Sequence, residues 1–205
     1  MISIPMEIDL PKPSFKSNKS VEECIIERES VRRYSDRKIE IEKVSLILWA
    51  AQGMKGLKKT VPSAGATYPL EIYITLKDMG YFHYNYHKHT LELLTKESIA
   101  KILAEESWNQ KFIEESYLNI LICADYSRTT KRYGERGVRY VHMEVGHCAQ
   151  NVHLEAVSLG LVSVPIGAFE DRKVKKVLNL PSNIEPLYII PIGYPNIQQA
   201  NKLEN

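Results

Sequence analysis

The segment that decides the fold prediction follows a short predicted helix near the N-terminus and reads Arg28-Glu29-Ser30-Val31-Arg32-Arg33-Tyr34. In extended backbone, alternate side chains point to the same side, so Arg28, Ser30 and Arg32 would share one face. Guanidinium groups bind phosphate oxygens in a bidentate manner. By itself the segment fits two interpretations. It is either an anion site or the solvated end of a helix, where cations face the negative pole.

Amphipathic helices are predicted on both sides of this segment. Ser20-Val21-Glu22-Glu23 is a capping-box pattern and starts a helix that runs to about Arg28. In the longest helical pattern, 136–159, apolar residues recur every three or four positions, and Gly160 follows as a C-cap. The other predicted helices are 40–52, 96–114 and 170–178.

Short apolar segments between the helices predict β-strands. The run at 117–124 is nearly continuous and is typical of a buried central strand. The other predicted strands are 70–76, 81–87, 90–94, 161–165 and 186–192. This order of elements, without a repeat or linker, predicts one mixed α+β domain over 20–205. An extended arm, 1–19, precedes it and is expected either to be disordered or to lie across a partner subunit.

The composition argues against several classes of protein. The chain has 205 residues, a net charge of +2 and 25% charged residues, so neither nucleic acid nor an anionic membrane surface is an expected partner. No apolar stretch approaches the ~18–20 residues that cross a bilayer. The N-terminus lacks a signal-peptide pattern, so the cytoplasm is the default compartment. Cys24, Cys123 and Cys148 lie in apolar patterns and are expected to be small buried hydrophobic residues.

Two loops of small residues are further candidates for ligand contact. Small side chains allow the backbone to approach a flat ligand closely. The loops read Pro62-Ser63-Ala64-Gly65-Ala66 and Val164-Pro165-Ile166-Gly167-Ala168-Phe169. Each of them is equally compatible with an ordinary turn.

Other signals favour structural roles. His83, His87 and His89 lack a known metal-ligand spacing, so no metal site is predicted and exposed strand histidines are expected. A basic stretch with interleaved tyrosines favours a solvated face or an anionic substrate over nucleic acid. Its cations are Arg128, Lys131, Arg132, Arg136 and Arg139. Neither a GxxxxGK[ST] nor a GxGxxG nucleotide-binding loop is present.

Taken in order along 20–195, these segments resemble the nitroreductase superfamily, especially its SagB-type dehydrogenase branch. The similarity includes the 28–34 segment, the two small-residue loops and three further stretches. These stretches are Leu48-Trp49-Ala50-Ala51-Gln52-Gly53, Glu144-Val145-Gly146-His147-Cys148-Ala149-Gln150-Asn151 and Pro186-Leu187-Tyr188-Ile189-Ile190-Pro191-Ile192-Gly193.

The resemblance implies a nitroreductase-like fold, with a central mixed or antiparallel sheet flanked by helices. It also implies a homodimer with two FMN molecules in the interface. Arg28, Ser30 and Arg32 would hold the phosphate end and reach toward the pyrimidine ring. The other subunit would contribute a loop along the isoalloxazine, and a third segment would present its backbone near N5. The loop is Pro62, Ser63, Ala64 and Gly65, and the N5 segment is Pro165, Ile166, Gly167 and Ala168.

The chain departs from the better-known nitroreductases at two positions. Those proteins often have Glu-Gly where this chain has Gly167-Ala168. They also have a basic residue just after the last strand, whereas the sequence here is Gly193-Tyr194-Pro195. Unless Lys202 or the basic stretch substitutes, the phosphate depends mainly on Arg28 and Arg32.

Three functions follow from the resemblance. The first is an FMN-dependent reductase that transfers hydride or electrons from NAD(P)H through flavin N5 to a small organic acceptor. The second is a SagB-type dehydrogenase that oxidises azoline rings in modified peptides. The third is a flavin-binding or redox-sensing protein without turnover. No side chain is expected to be an essential acid or base, because the cofactor carries the chemistry.

Overall fold

Seven strands form one antiparallel sheet in the computed structural model, which describes residues 6–196. Residues 1–5 and 197–205, including Lys202, lie outside the described part of the chain. The helices are α1 (Val21–Glu27), α2 (Ile41–Gln52), α3 (Ala100–Glu106), α4 (Phe112–Glu115), α5 (Ser127–Tyr133), α6 (Arg136–Ser158) and α7 (Asp171–Val177). The strands are β1 (Glu7–Asp9), β2 (Met54–Lys55), β3 (Lys58–Lys59), β4 (Leu70–Leu76), β5 (Gly80–Asn85), β6 (Thr90–Thr95), β7 (Leu118–Ala124), β8 (Val162–Ser163) and β9 (Glu185–Gly193).

The sheet has the strand order β1-β6-β5-β4-β7-β9-β8, and every neighbouring pair is antiparallel. β4 and β7 lie at its centre and are buried along their whole length. The remaining two strands, β2 and β3, form a separate hairpin. The predicted α+β class is confirmed, and of the two sheet types left open, the antiparallel one is present.

Helices cover both faces of this sheet. On one face, the apolar stripe of α6, which includes Val141, Cys148 and Val152, packs with α2 against the even-numbered residues of β4. On the other, α3, α4 and α7 pack against the odd-numbered Tyr73 and its neighbours, as the alternation of side chains along a strand requires. All three cysteines are free and buried, so the prediction for them is confirmed.

The single helix predicted over 96–114 is wrong. The structure has two short helices there, α3 and α4, separated by residues that include Trp108 and Asn109. These two residues have φ values of 57° and 58°, which a right-handed helix does not accommodate. The β2–β3 hairpin, which follows α2, and α5, which lies in the basic stretch, were not predicted either.

The described part of the N-terminal arm packs on its own chain. β1 pairs with β6, Leu10 is buried, and Ser45 Oγ donates to the Pro11 carbonyl at 2.5 Å. Farther along, the Phe15 ring lies 4.6 Å from the Trp49 ring, centroid to centroid. The arm is extended from residue 7 to residue 9, and β1 was not foreseen. Within 6–196, no helix combines the length and apolarity that a membrane crossing requires.

Candidate active site

The 28–34 segment runs along the end of the sheet in extended conformation. Ser30 forms a parallel bridge with Ser163 of β8, and the Val31 N–H donates to the Ser163 carbonyl at 3.1 Å. Val31 is buried, whereas Ser30 and Arg32 are exposed and Arg28 is half-buried. Glu29 and Arg33, in the other set of alternating positions, are exposed as well, so Val31 alone is buried in the 28–34 segment. Ser30 and Arg32 are therefore both available to a ligand on the outer side.

The same edge brings the 165–168 segment close to this one. Pro165 follows the bridged Ser163 by two positions, and Ile166 exchanges backbone hydrogen bonds of 2.9 and 3.0 Å with Ile189. Both segments also approach α4. The Arg32 guanidinium carbon lies 5.8 Å from the centre of the Phe112 ring, and Gln110 Nε2 donates to the Ala168 carbonyl at 2.9 Å.

A buried histidine supports the bridge from α6. His153 Nδ1 lies 2.7 Å from Ser163 Oγ. Burial, together with the charge of Arg28, lowers the pKa of His153 to about 4. The imidazole is therefore neutral near pH 7, and the positive charge here belongs to arginine side chains. Its Nε2 has no hydrogen-bond partner within the described residues.

The end of the last strand packs closely against the 28–34 segment and the residue after it. A Cβ on Gly193 would lie 2.8–2.9 Å from Tyr34, and the Ser35 N–H donates to the Tyr194 carbonyl at 2.9 Å. Two arginines of the basic stretch already have other partners within the chain. Arg128 forms an ion pair with Glu71, and Arg132 donates to the loop described next.

The 62–65 loop, made of Pro62, Ser63, Ala64 and Gly65, leads into a 3₁₀ turn at Ala64–Ala66. Gly65 has φ of +59°, and an added Cβ would lie 2.5 Å from Tyr133 Oη. Arg132 Nη1 donates to the Gly65 carbonyl at 3.2 Å. Thus α5 holds this loop. The interleaved Arg and Tyr residues of the basic stretch were the available signal for that role, and the sequence reasoning did not use it.

A cavity of about 260 Å³ lies between the 62–65 loop and α6. Glu144 is buried in its wall, and His147 is exposed one turn further along the helix. The sequence analysis included both residues in a stretch that resembles the family and gave neither of them a role. The cavity is lined by Pro62, Ser63, Ala64, Tyr140, Met143, Glu144 and His147.

The two halves of the candidate site lie against opposite sides of α6. Glu144 lines the cavity next to the 62–65 loop, and His153 contacts Ser163 of the Ser30–Ser163 bridge. At ~100° and ~1.5 Å per residue, these two positions are half a turn out of phase and ~13 Å apart along the axis. The structure therefore brings the 28–32 and 165–168 segments together, but it does not bring the 62–65 loop to them within one chain.

The hairpin histidines are tied into side-chain networks. His83 lies between Glu71 and Glu92, at 2.9 and 3.0 Å, and His89 Nε2 lies 2.7 Å from Ser45 Oγ. Only His87 is exposed, so the expectation of exposed strand histidines is wrong for the other two. Among residues 6–196, no group of three or more His, Cys, Asp and Glu side chains is arranged to hold a metal ion.

The model of the family described as "Nitroreductase family" matches residues 25–194, which include all three segments. The chain belongs to the nitroreductase family. It is 42% identical over 195 residues to a provisionally named nitroreductase of Methanocaldococcus jannaschii, covering 92% of this chain and 96% of that one. It is also 31% identical over 140 residues to the trifolitoxin-processing protein TfxB of Rhizobium leguminosarum, covering 63% of this chain but only 37% of TfxB.

Solved structures of other family members share the fold. A provisionally named nitroreductase of Ralstonia eutropha superposes with a TM-score of 0.84 at 23% identity, covering 93% of this chain and 90% of that one. The NADPH:FMN oxidoreductase of Vibrio harveyi, solved with NAD+, superposes with a TM-score of 0.66 at 22% identity, covering 86% and 69%. At these identities the superpositions establish the nitroreductase fold alone.

Proposed function

We propose that this protein is an FMN-dependent oxidoreductase that takes electrons from NAD(P)H and passes them to a small organic acceptor. The observation that carries the proposal is the meeting of the 28–32 and 165–168 segments at one sheet edge, with Ser30, Arg32 and Gly167 exposed there. The names of the Methanocaldococcus and Vibrio proteins support this class of reaction.

The residues at this edge fit a flavin mononucleotide. Arg28, Ser30 and Arg32 offer hydrogen-bond donors that suit a charged phosphate. Gly167 is open enough that even a Cβ would make only ordinary contact, 3.5 Å from Tyr188, so a flat ring can approach the backbone closely. When bound, FMN supplies hydride transfer, and the protein supplies orientation and positive charge.

We propose further that the working unit is a homodimer. A flavin bound at the sheet edge of one chain does not reach that chain's own 62–65 loop, which lies on the other side of α6. A symmetric partner presents the same loop from outside. The exposed apolar side chains of α6, Val138 at 40% and Met143 at 51%, provide a surface on which such a partner can pack.

Anaerobic reduction of the purified protein tests the proposal. The protein should bind added FMN, and NADH or NADPH should bleach the bound yellow chromophore. A quinone or nitroaromatic acceptor should then restore the colour. Failure to bind FMN would overturn the proposal, and binding without bleaching by either donor would indicate a flavin-binding or redox-sensing protein instead.

One observation favours a second function, azoline oxidation in a modified peptide. The similarity to the trifolitoxin-processing protein TfxB is at 31% identity, although this chain spans little more than a third of TfxB's length. A peptide-recognition partner would then have to be a separate chain. Conversion of a thiazoline-containing peptide to its thiazole would distinguish this activity from the reductase. The reaction removes two hydrogen atoms, so the mass of the peptide should fall by about 2 Da.

A further inference from the structure

Two ionisable side chains near the 62–65 loop are buried, and each has a polar atom without a hydrogen-bond partner among the described residues. Glu144 is 2% exposed and Lys59 is 7% exposed. Within the described residues, neither Glu144 Oε1 nor Lys59 Nζ has a hydrogen-bond partner, although Lys59 Nζ lies 3.4 Å from the centre of the Tyr86 ring. Unpaired buried charge is strongly unfavourable. Such groups are retained mainly where function uses them.

The surroundings of Glu144 indicate a ligand site. Glu144 lines the 260 Å³ cavity together with Pro62, Tyr140 and Met143, which contribute mostly apolar surface. The polar side chains of its lining include Glu144 and His147, which lie on consecutive turns of α6. Apolar walls with a few convergent polar groups suit a small planar molecule that has a polar edge.

We propose that this cavity binds the electron acceptor, a small planar quinone-like molecule, and that Glu144 donates one of the two protons that its reduction consumes. The inference rests on the proposed function, in which the 62–65 loop lies along the partner's flavin. Two-electron reduction of a quinone requires two electrons and two protons. Hydride transfer supplies both electrons and one proton, and the Glu144 carboxyl supplies the other and becomes a carboxylate. Exposed His147 lies where solvent can return the proton.

The electrostatics of the cavity agree with that role. Burial raises the pKa of Glu144 to about 7, against the opposing effects of a hydrogen bond from Ser63 and the charge of Lys59. Burial likewise lowers the pKa of Lys59 to about 8, with Glu71, Arg128, Glu144 and the thiol of Cys148 as its charged or titratable neighbours. The carboxyl group is therefore partly protonated at neutral pH, as a proton donor at that pH should be.

Two acceptors with different proton demands test the proposal. Holoprotein reduced anaerobically is mixed with 1,4-benzoquinone, which takes up protons, or with ferricyanide, which takes up electrons alone. Glu144→Gln should slow reoxidation by the quinone by about a hundredfold or more and leave reoxidation by ferricyanide unchanged. With the unmutated protein, the quinone rate should fall as pH rises through about 7. Lys59→Met should move that midpoint to higher pH, because a neighbouring positive charge is removed.

A matched control and a cofactor-free measurement complete the test. Glu155→Gln replaces another part-buried carboxyl on α6, away from this cavity, and should leave both rates unchanged. In apoprotein, the infrared band of a protonated carboxyl should disappear with a midpoint of about 7 and be missing from Glu144→Gln. Equal slowing with both acceptors, or no slowing with quinone, overturns the inference and leaves the proposed function standing. Failure of the unmutated protein to bind FMN overturns the proposed function instead.

Discussion

Ser30 and Ser163 form a parallel bridge that fixes the direction in which each side chain of the 28–34 segment points. With Val31 buried on the inner side, Ser30 and Arg32 face outward. A shift of one residue in this register would bury Ser30 and Arg32 and expose Val31. The bridge therefore determines which side chains of this segment are available for the proposed phosphate contact.

The register makes Arg28 and Arg33 a matched pair for measuring phosphate binding. Arg28→Ala should raise the Kd for FMN about ten- to a hundredfold, because a charge-assisted hydrogen bond contributes ~1.5–3 kcal/mol. Arg33 belongs to the other set of alternating positions, so Arg33→Ala should leave the Kd nearly unchanged. Fluorescence titration of apoprotein measures both values. Equal losses in the two variants would contradict the assignment of Arg28, Ser30 and Arg32 to the phosphate.

Gly193 supports the same segment from behind. A methyl group at this position would lie 2.8–2.9 Å from Tyr34, including its Cβ, so the 30–34 backbone would have to move. Gly193→Ala should therefore lower the free energy of unfolding by ~1–3 kcal/mol, the usual cost of overpacking, and should also weaken FMN binding. Urea denaturation measures the first effect. Gly146→Ala is the control, since a Cβ there meets nothing within 4 Å and alanine favours the helix; if both variants lose stability equally, tight packing at Gly193 is refuted.

The regular elements could be predicted from the sequence because their apolar patterns are long and buried. The strand predicted over 70–76 is β4 without change, and the longest helix differs from its prediction by one residue at the C-terminal end. The break between α3 and α4 could not be predicted, because Trp108 and Asn109 adopt positive φ without a glycine or proline to signal it. β1 was missed for a different reason. A three-residue strand at the sheet edge exists only through its pairing with β6.

The candidate site also has parts that the sequence indicates and parts that depend on packing. The candidate segments could be proposed from their residue types, their order and the family resemblance, and their contacts with a ligand stay predictions. The lack of a hydrogen-bond partner at Glu144 Oε1 and Lys59 Nζ could not be predicted, since it arises from how α6 and the β2–β3 hairpin pack. The same is true of Arg132, whose partner, the Gly65 carbonyl, is distant in sequence.

Two buried groups on α6 should give the stability of the protein opposite dependences on pH. The pKa of His153 is lowered from 6.5 to about 4, so its contribution is complete above pH 6.5 and is lost as pH falls toward 4. The pKa of Glu144 is raised from 4.5 to about 7, so its contribution is complete below pH 4.5 and is lost as pH rises toward 7. Each effect amounts to ~3 kcal/mol, and between pH 4.5 and 6.5 they oppose one another.

Single substitutions should reveal each of the two pH dependences of stability separately. Apoprotein with His153→Gln should become less stable as pH rises from 4.5 to 6.5, and apoprotein with Glu144→Gln should become more stable over the same interval. Urea denaturation at several pH values measures this. His147→Gln, at an exposed position of α6, should keep the profile of the unmutated protein. Parallel profiles for the two buried-site variants would show that these groups titrate normally in the folded state.

Subunit complementation tests whether the site is shared between two chains. Arg28→Ala removes a phosphate contact from the sheet edge, and Ala64→Trp blocks the 62–65 loop, so each homodimer should have two defective sites. In a heterodimer of the two variants, one site combines both defects and the other combines an intact edge with an intact loop. Unfolding and refolding an equimolar mixture should give about half heterodimers by random pairing.

NAD(P)H-dependent reduction of a quinone should then return to roughly a quarter of the activity of the unmutated protein, since about one site in four is intact. Mixing the same variants without unfolding is the control and should give no recovery over the exchange time of the subunits. A second mixture contains the unmutated chain and a double variant that has both substitutions in one chain. Each heterodimer of these two has its intact edge and its intact loop on the same chain, so each of its two sites has one defect. Because random pairing also forms about one unmutated homodimer in four, this second mixture should likewise keep roughly a quarter of the activity if each site takes its edge from one chain and its loop from the other. No activity from the single variants and roughly half from the second mixture would place the whole site within one chain. That result would contradict the separation of Glu144 and His153 on α6 as the reason for dimerisation.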